Sequence, residues 1–198
     1  MSYKESFPMN FLHPDKLWSR EEVLARPSPV PKEPGVYAWF FRNLPSIVPT
    51  EDCVAREHLR LLYVGIAPKE PPQNGARSSR QRLFHRVRYH YRGNAAGSTL
   101  RLTLGCLLSE SLGIQLRCVG SGRRFTFGQG EELLSVWMHA NAFVTWQTHP
   151  EPWVLEEQLI GKLSLPLNLD MNSEHPFHAT LSNIRRQAKA AARAWPVQ

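Results

Sequence analysis

Two apolar runs, Gly35 to Phe41 and Leu59 to Ile66, most narrow what this chain can fold into. Each is short, rich in aromatic and aliphatic residues, and bounded by turn formers, as a strand should be. Pro27, Pro29, Pro31 and Pro34 precede the first run as an extended linker. Residues 43–57, between the runs, make a longer connection than a tight hairpin needs. Pro68, Pro71, Pro72, Asn74 and Gly75 mark a loop after the second. A helix is predicted from Ser78 to Tyr91, with Leu83, Val87 and Tyr91 (or Phe84) as its apolar stripe. Ser98 or Gly97 caps the next, to about Leu108. Glu131 to Ala140 reads as a third helix, and Pro152 opens a fourth that Pro166 stops. Short strands are expected at Ile114 to Val119, Phe125 to Phe127 and Ala142 to Gln147. Ser19-Arg20-Glu21-Glu22 is a capping-box pattern and starts a short helix near the N-terminus.

A chain of 198 residues fits one domain with extensions. We expect an arm and linker over 1–33, a domain over 34–175, and a basic helix within 176–198, from Leu181 to Ala194. Cys53, Cys106 and Cys118 form no Cys-x-x-Cys pair, and their odd number is a poor disulfide framework, so a reducing cytoplasm is the expected compartment. The first residues show no apolar signal segment, and no run is long enough to span a membrane.

The net charge is +7, which favours anionic partners and nucleic acid first. The positive charge comes in two blocks. Residues 71–109 hold no acid but carry Arg77, Arg80, Arg82, Arg86, Arg88, Arg92 and Arg101. Residues 175–198 also lack acids and carry Arg185, Arg186, Lys189 and Arg193. Soluble helices usually interleave signs, so these blocks read as backbone-tracking surfaces; a solvated face is the plainer reading. From them Arg77, Arg82, Arg88, Arg92, Arg101, Arg185 and Arg186 are candidate nucleic-acid contacts. Ser98 joins them, because Gly97-Ser98-Thr99-Leu100-Arg101 can offer a helix N-terminus to a phosphate as well as cap a helix.

Three segments carry residues suited to chemistry. Arg86 and His90, spaced i, i+4, share a helix face and set a guanidinium and an imidazole against one anion. Glu156 opens the run Glu156, Leu159, Ile160, Pro166, Asn168. Tyr37 and Tyr63 sit in Gly35-Val36-Tyr37 and Tyr63-Val64-Gly65. Each alone has an ordinary reading: strand tyrosines, a surface Glu, a packing His, a turn Asn.

In this order and spacing the residues resemble the GIY-YIG nuclease family. Val36 and Val64 stand where the family's motifs carry Ile, and Leu83, Arg86 and His90 match its Leu-x-x-Arg-x-x-x-His pattern. The resemblance implies an α+β fold, a small three-stranded antiparallel sheet flanked by helices, with extra helices here. It implies hydrolysis of phosphodiester bonds with one divalent ion, Mg²⁺ or Mn²⁺, on Glu156. Tyr37 would activate water, Arg86 hold the phosphate, His90 and Tyr63 assist proton movement, and Asn168 hold the site together. Many relatives carry a polar or basic residue where this chain has Ile66; Lys69 or Arg77 would have to replace it. DNA is the expected partner, with RNA left open, as is monomer against homodimer. A non-catalytic nucleic-acid-binding module of the same fold is the second reading, and a protein binding an acidic partner the third. His175 to His178, and Cys106 and Cys118 with His139, look like incomplete metal sets and read better as a loop and buried thiols.

Overall fold

The computed structural model describes residues 9–72, 74 and 79–197. Its centre is an antiparallel sheet in the order β2-β3-β1-β6, built from β1 (Gly35–Phe41), β2 (Ala55–Arg56), β3 (Leu59–Ala67) and β6 (Ala142–Thr148). The expected antiparallel sheet is present, with a fourth strand of two residues contributed by the long 43–57 connection. β4 (Arg117–Val119) and β5 (Arg124–Thr126) pair separately as a hairpin. β1 is buried along its whole length, because it lies between two partners and both of its faces are covered. Around the sheet lie α1 (Met9–Leu12), α2 (Arg20–Leu24), α3 (Leu83–Arg92), α4 (Thr99–Leu107), α5 (Ser109–Leu112), α6 (Gly130–Asn141), α7 (Pro152–Lys162) and α8 (His178–Ala194). The architecture is α+β.

The two faces of β1 enter two apolar layers. Tyr37, Trp39 and Phe41 pack with Leu83, Val87 and Tyr91 of α3 and with Leu134 and Met138 of α6. Val36, Ala38 and Phe40 pack with Leu155, Leu159 and Ile160 of α7. This is the period-two alternation of a strand, made visible only because helices cover both sides.

The N-terminal segment is built into the core. α2 has the expected capping box, Ser19 and Glu22 each bonding the other's backbone N–H. Phe11, Leu12, Val23 and Val30 are buried. Trp18 exchanges backbone hydrogen bonds of 2.9 and 3.0 Å with Val144 of β6 and stacks on Trp146.

α3 starts at Leu83, later than the expected Ser78, which lies outside the described residues. No side chain caps it. Its first two N–H groups are met by linker carbonyls instead, Leu83 by Glu33 and Phe84 by Pro31, at 3.0 and 2.9 Å. A boundary set by a tertiary contact of this kind leaves no local signature.

Candidate active site

Tyr37 lies in mid-β1, directly opposite Gly65 of β3. A Cβ at Gly65 would stand 2.6 Å from the Tyr37 hydroxyl and 2.8 Å from its Cζ. Only glycine lets this ring lie across the neighbouring strand, which gives the second glycine of the paired motifs its physical reason. Tyr63 lies two residues earlier on the same face, 7% exposed, and lines the same cleft.

α3 delivers Arg86 and His90 to that ring. Arg86 Nε donates to the Tyr37 hydroxyl at 3.3 Å, and one Nη1 hydrogen is engaged by the Gly97 carbonyl at 2.7 Å. His90 Nε2 lies 2.9 Å from the same Tyr37 oxygen. His90 is fully buried, with its other nitrogen 2.7 Å from Ser98 Oγ. The two α3 side chains therefore converge on Tyr37 rather than side by side on a phosphate. Arg86 reaches the cleft, whereas His90 sits behind the tyrosine and does not line that cleft.

α7 and the loop after it close the other wall. Glu156 faces a cleft of about 570 Å³ shared with Tyr37, Tyr63, Arg86 and Asn168. Asn168 is buried, and its amide bridges one strand residue twice: Oδ1 accepts from Val64 N–H and Nδ2 donates to Val64 O, both at 2.9 Å. It thereby pins the loop carrying Leu169 and Asp170 to the outer edge of β3. Asn172 continues the brace, donating to the Leu165 and Asn168 carbonyls.

The sheet, the two helices and the paired Gly-Val-Tyr and Tyr-Val-Gly strands fall within a single match: the family model of the GIY-YIG catalytic domain aligns with residues 35–187. This chain belongs to the GIY-YIG family. Searches of curated proteins and of solved structures return no significant match. The family is one of endonucleases, so nuclease-type chemistry on nucleic acid is the function this GIY-YIG domain carries as a class.

The electrostatics of the GIY-YIG cleft are uneven. Burial pushes the Glu156 carboxyl up to about 7; Lys69 opposes the rise and the Asp170 charge adds to it. Burial also raises Tyr37, offset by the Arg86 guanidinium, and raises Tyr63 well above the usual phenol value. His90 is held well below the ordinary imidazole value by burial and then by Arg86 and Arg101, so it is neutral at physiological pH. Lys69 is exposed at the cleft rim, where Arg77 is outside the described residues. The neighbouring Glu157 is exposed and lines the cleft with Glu156.

A divalent ion fits this donor set. Glu156 is a carboxylate whose ionisation is penalised where it stands, and a cation beside it would remove the penalty. Among the described residues no three His, Cys, Asp or Glu side chains cluster as a ready-made cage. A site of one carboxylate completed by substrate phosphate and water suits hard, hydrated Mg²⁺ better than a soft metal.

Several expected nucleic-acid contacts in the GIY-YIG domain have other tasks. Arg101 is fully buried and forms a 2.7 Å ion pair with Glu131, so it cannot meet a phosphate. Arg88 is buried and donates to the Val23 carbonyl at 2.6 Å, tying α3 to α2. Ser98 is buried too; it caps α4 by accepting from Arg101 N–H. Arg185 is half-buried over Thr103, and Arg82 is half-buried at the head of α3. Arg92 and Arg186 are exposed. Trp153 and Asp170, which no motif singles out, also line the cleft. Breaking a buried pair strands a charge, so Arg101→Ala should lower unfolding stability by about 3–5 kcal/mol, read in a urea titration.

Proposed function

We propose that this GIY-YIG domain is a divalent-metal-dependent endonuclease hydrolysing phosphodiester bonds in DNA, with one Mg²⁺ or Mn²⁺ ion held by Glu156. The observation that supports it most is the convergence of Arg86 and His90 on the Tyr37 oxygen, in a cleft whose opposite wall carries a half-buried carboxylate. The bound ion supplies positive charge for the phosphate and the departing oxygen. Arg86 engages Tyr37 and Gly97 through Nε and Nη1, which among the described residues leaves its Nη2 edge for the scissile phosphate. In its ionised form, with its own proton given up to water in the cleft, the Tyr37 oxygen takes a proton from the attacking water as that water's oxygen bonds to phosphorus; the 3′ or 5′ oxygen leaves and takes a proton from a second water. Tyr63 lines the same cleft and would assist the proton movement there. Exposed Arg92 and Arg186 are left to follow the nucleic-acid backbone, a salt-dependent contact.

Supercoiled plasmid should be nicked or linearised with Mg²⁺ or Mn²⁺ and left intact with EDTA. Cutting of a matched RNA instead would move the substrate assignment. Metal-independent plasmid shifts without any cut would replace this reading with a non-catalytic binding module.

A further inference from the structure

Ser98 sits behind the active site, 1% exposed. Its hydroxyl has two neighbours: Arg101 N–H, which donates to it at 3.1 Å, and His90 Nδ1 at 2.7 Å. A serine hydroxyl carries one proton and must place it on an acceptor when buried; an unplaced donor costs about 1–3 kcal/mol. Arg101 N–H is itself a donor, so among the described residues His90 Nδ1 is the acceptor within reach.

We infer that Ser98 donates its proton to His90 Nδ1 and so fixes His90 as the Nε2–H tautomer, making the imidazole a hydrogen-bond donor to Tyr37. Burial keeps the ring neutral, so one nitrogen accepts and the other donates. With Nδ1 accepting, Nε2–H points at the Tyr37 oxygen 2.9 Å away, and the phenol's own proton is turned to the cleft that Tyr37 lines, where water accepts it. That oxygen then receives two N–H groups, from His90 and from Arg86. Two donors on one phenol oxygen favour its ionised form, which is the form able to take a proton from water. The opposite tautomer would orphan the Ser98 proton and draw the Tyr37 proton back to His90. Ser98 is thus a positioning residue: it acts through His90 on Tyr37 and touches no substrate. Arg101 supports the arrangement from behind, its backbone N–H holding the Ser98 oxygen and its Nη1 donating to the His90 carbonyl at 3.3 Å.

The inference rests on Tyr37 being the group that prepares water, but its first test needs no catalysis. In protein labelled with ¹⁵N at histidine, the ring signals of His90, assigned by their loss in His90→Gln, should report a proton on Nε2 and none on Nδ1. A proton on Nδ1, or on both nitrogens, at neutral pH overturns it. The second test is kinetic. Ser98→Ala should lower kcat for plasmid nicking by at least about tenfold with little change in KM, as loss of an orienting partner does. Ser98→Thr, which keeps both the helix cap and the hydroxyl, should restore the rate. An unchanged kcat in a folded Ser98→Ala protein overturns the inference. A wild-type protein with the Nε2–H tautomer that cuts no nucleic acid would sink the nuclease reading and leave the tautomer standing.

Discussion

Glu156→Gln is expected to lose metal-dependent cleavage by on the order of 10³-fold while still binding plasmid. Glutamine keeps the shape and removes the charge, so the loss isolates the metal-holding role proposed for this carboxylate. The wild-type carboxyl titrates at about 7 without metal, which gives the rate a pH dependence. Below that value a proton and the ion compete for the same oxygens, so activity at fixed low Mg²⁺ should fall about tenfold per pH unit, and added metal should move the midpoint down. Stability runs the other way. A carboxyl whose folded value lies above its unfolded value of 4.5 favours the folded state most at low pH, and that advantage is lost as pH rises through about 7. At pH 8 without metal, Glu156→Gln should therefore be more stable than wild type by about 2 kcal/mol. The gap should close below pH 4.5, where both side chains are uncharged. Mg²⁺ should raise the melting temperature of wild type and not of the variant. A variant that cuts at the wild-type rate would remove Glu156 from the chemistry.

Tyr37→Phe should reduce kcat by about 10²- to 10³-fold with KM nearly unchanged. The ring is retained, so the packing against Gly65 and His90 survives. What disappears is the one oxygen on which Arg86 and His90 both converge. Each is left with a polar atom facing carbon, so the variant should also lose about 1–3 kcal/mol of stability. Single-turnover cleavage with enzyme in excess separates the two effects, since it reports chemistry on folded protein. Equal rates for wild type and Tyr37→Phe would point to Tyr63, the other hydroxyl of the cleft, as the group that prepares water.

The strands were the most legible part of this chain. Gly35–Phe41 carries its own boundaries, a glycine after four prolines at one end and a change to polar residues at the other. The capping residues Ser19 and Ser98 were equally readable, because a cap is a local hydrogen bond. Burial was not local and was misread. Arg88 and Arg101 sit in an acid-free stretch that looks like a solvated basic face, yet the partner of Arg101 is Glu131, thirty positions on, and that of Arg88 is a carbonyl of α2. The i, i+4 spacing of Arg86 and His90 correctly placed them on one face, but not what that face meets. Spacing fixes direction; depth depends on what the rest of the chain lays over it.

Asn168 has a consequence beyond the site. β2 covers only Leu59 and Arg60 of β3, so the backbone from Leu62 onward would present bare donors and acceptors. The Asn168 amide, with Leu167 N–H on the Leu62 carbonyl, answers those groups as a neighbouring strand would. An uncovered edge is a template on which a second copy of a chain can add itself. One side chain thus holds the cleft wall and occupies the very backbone groups of β3 with which an added strand would pair.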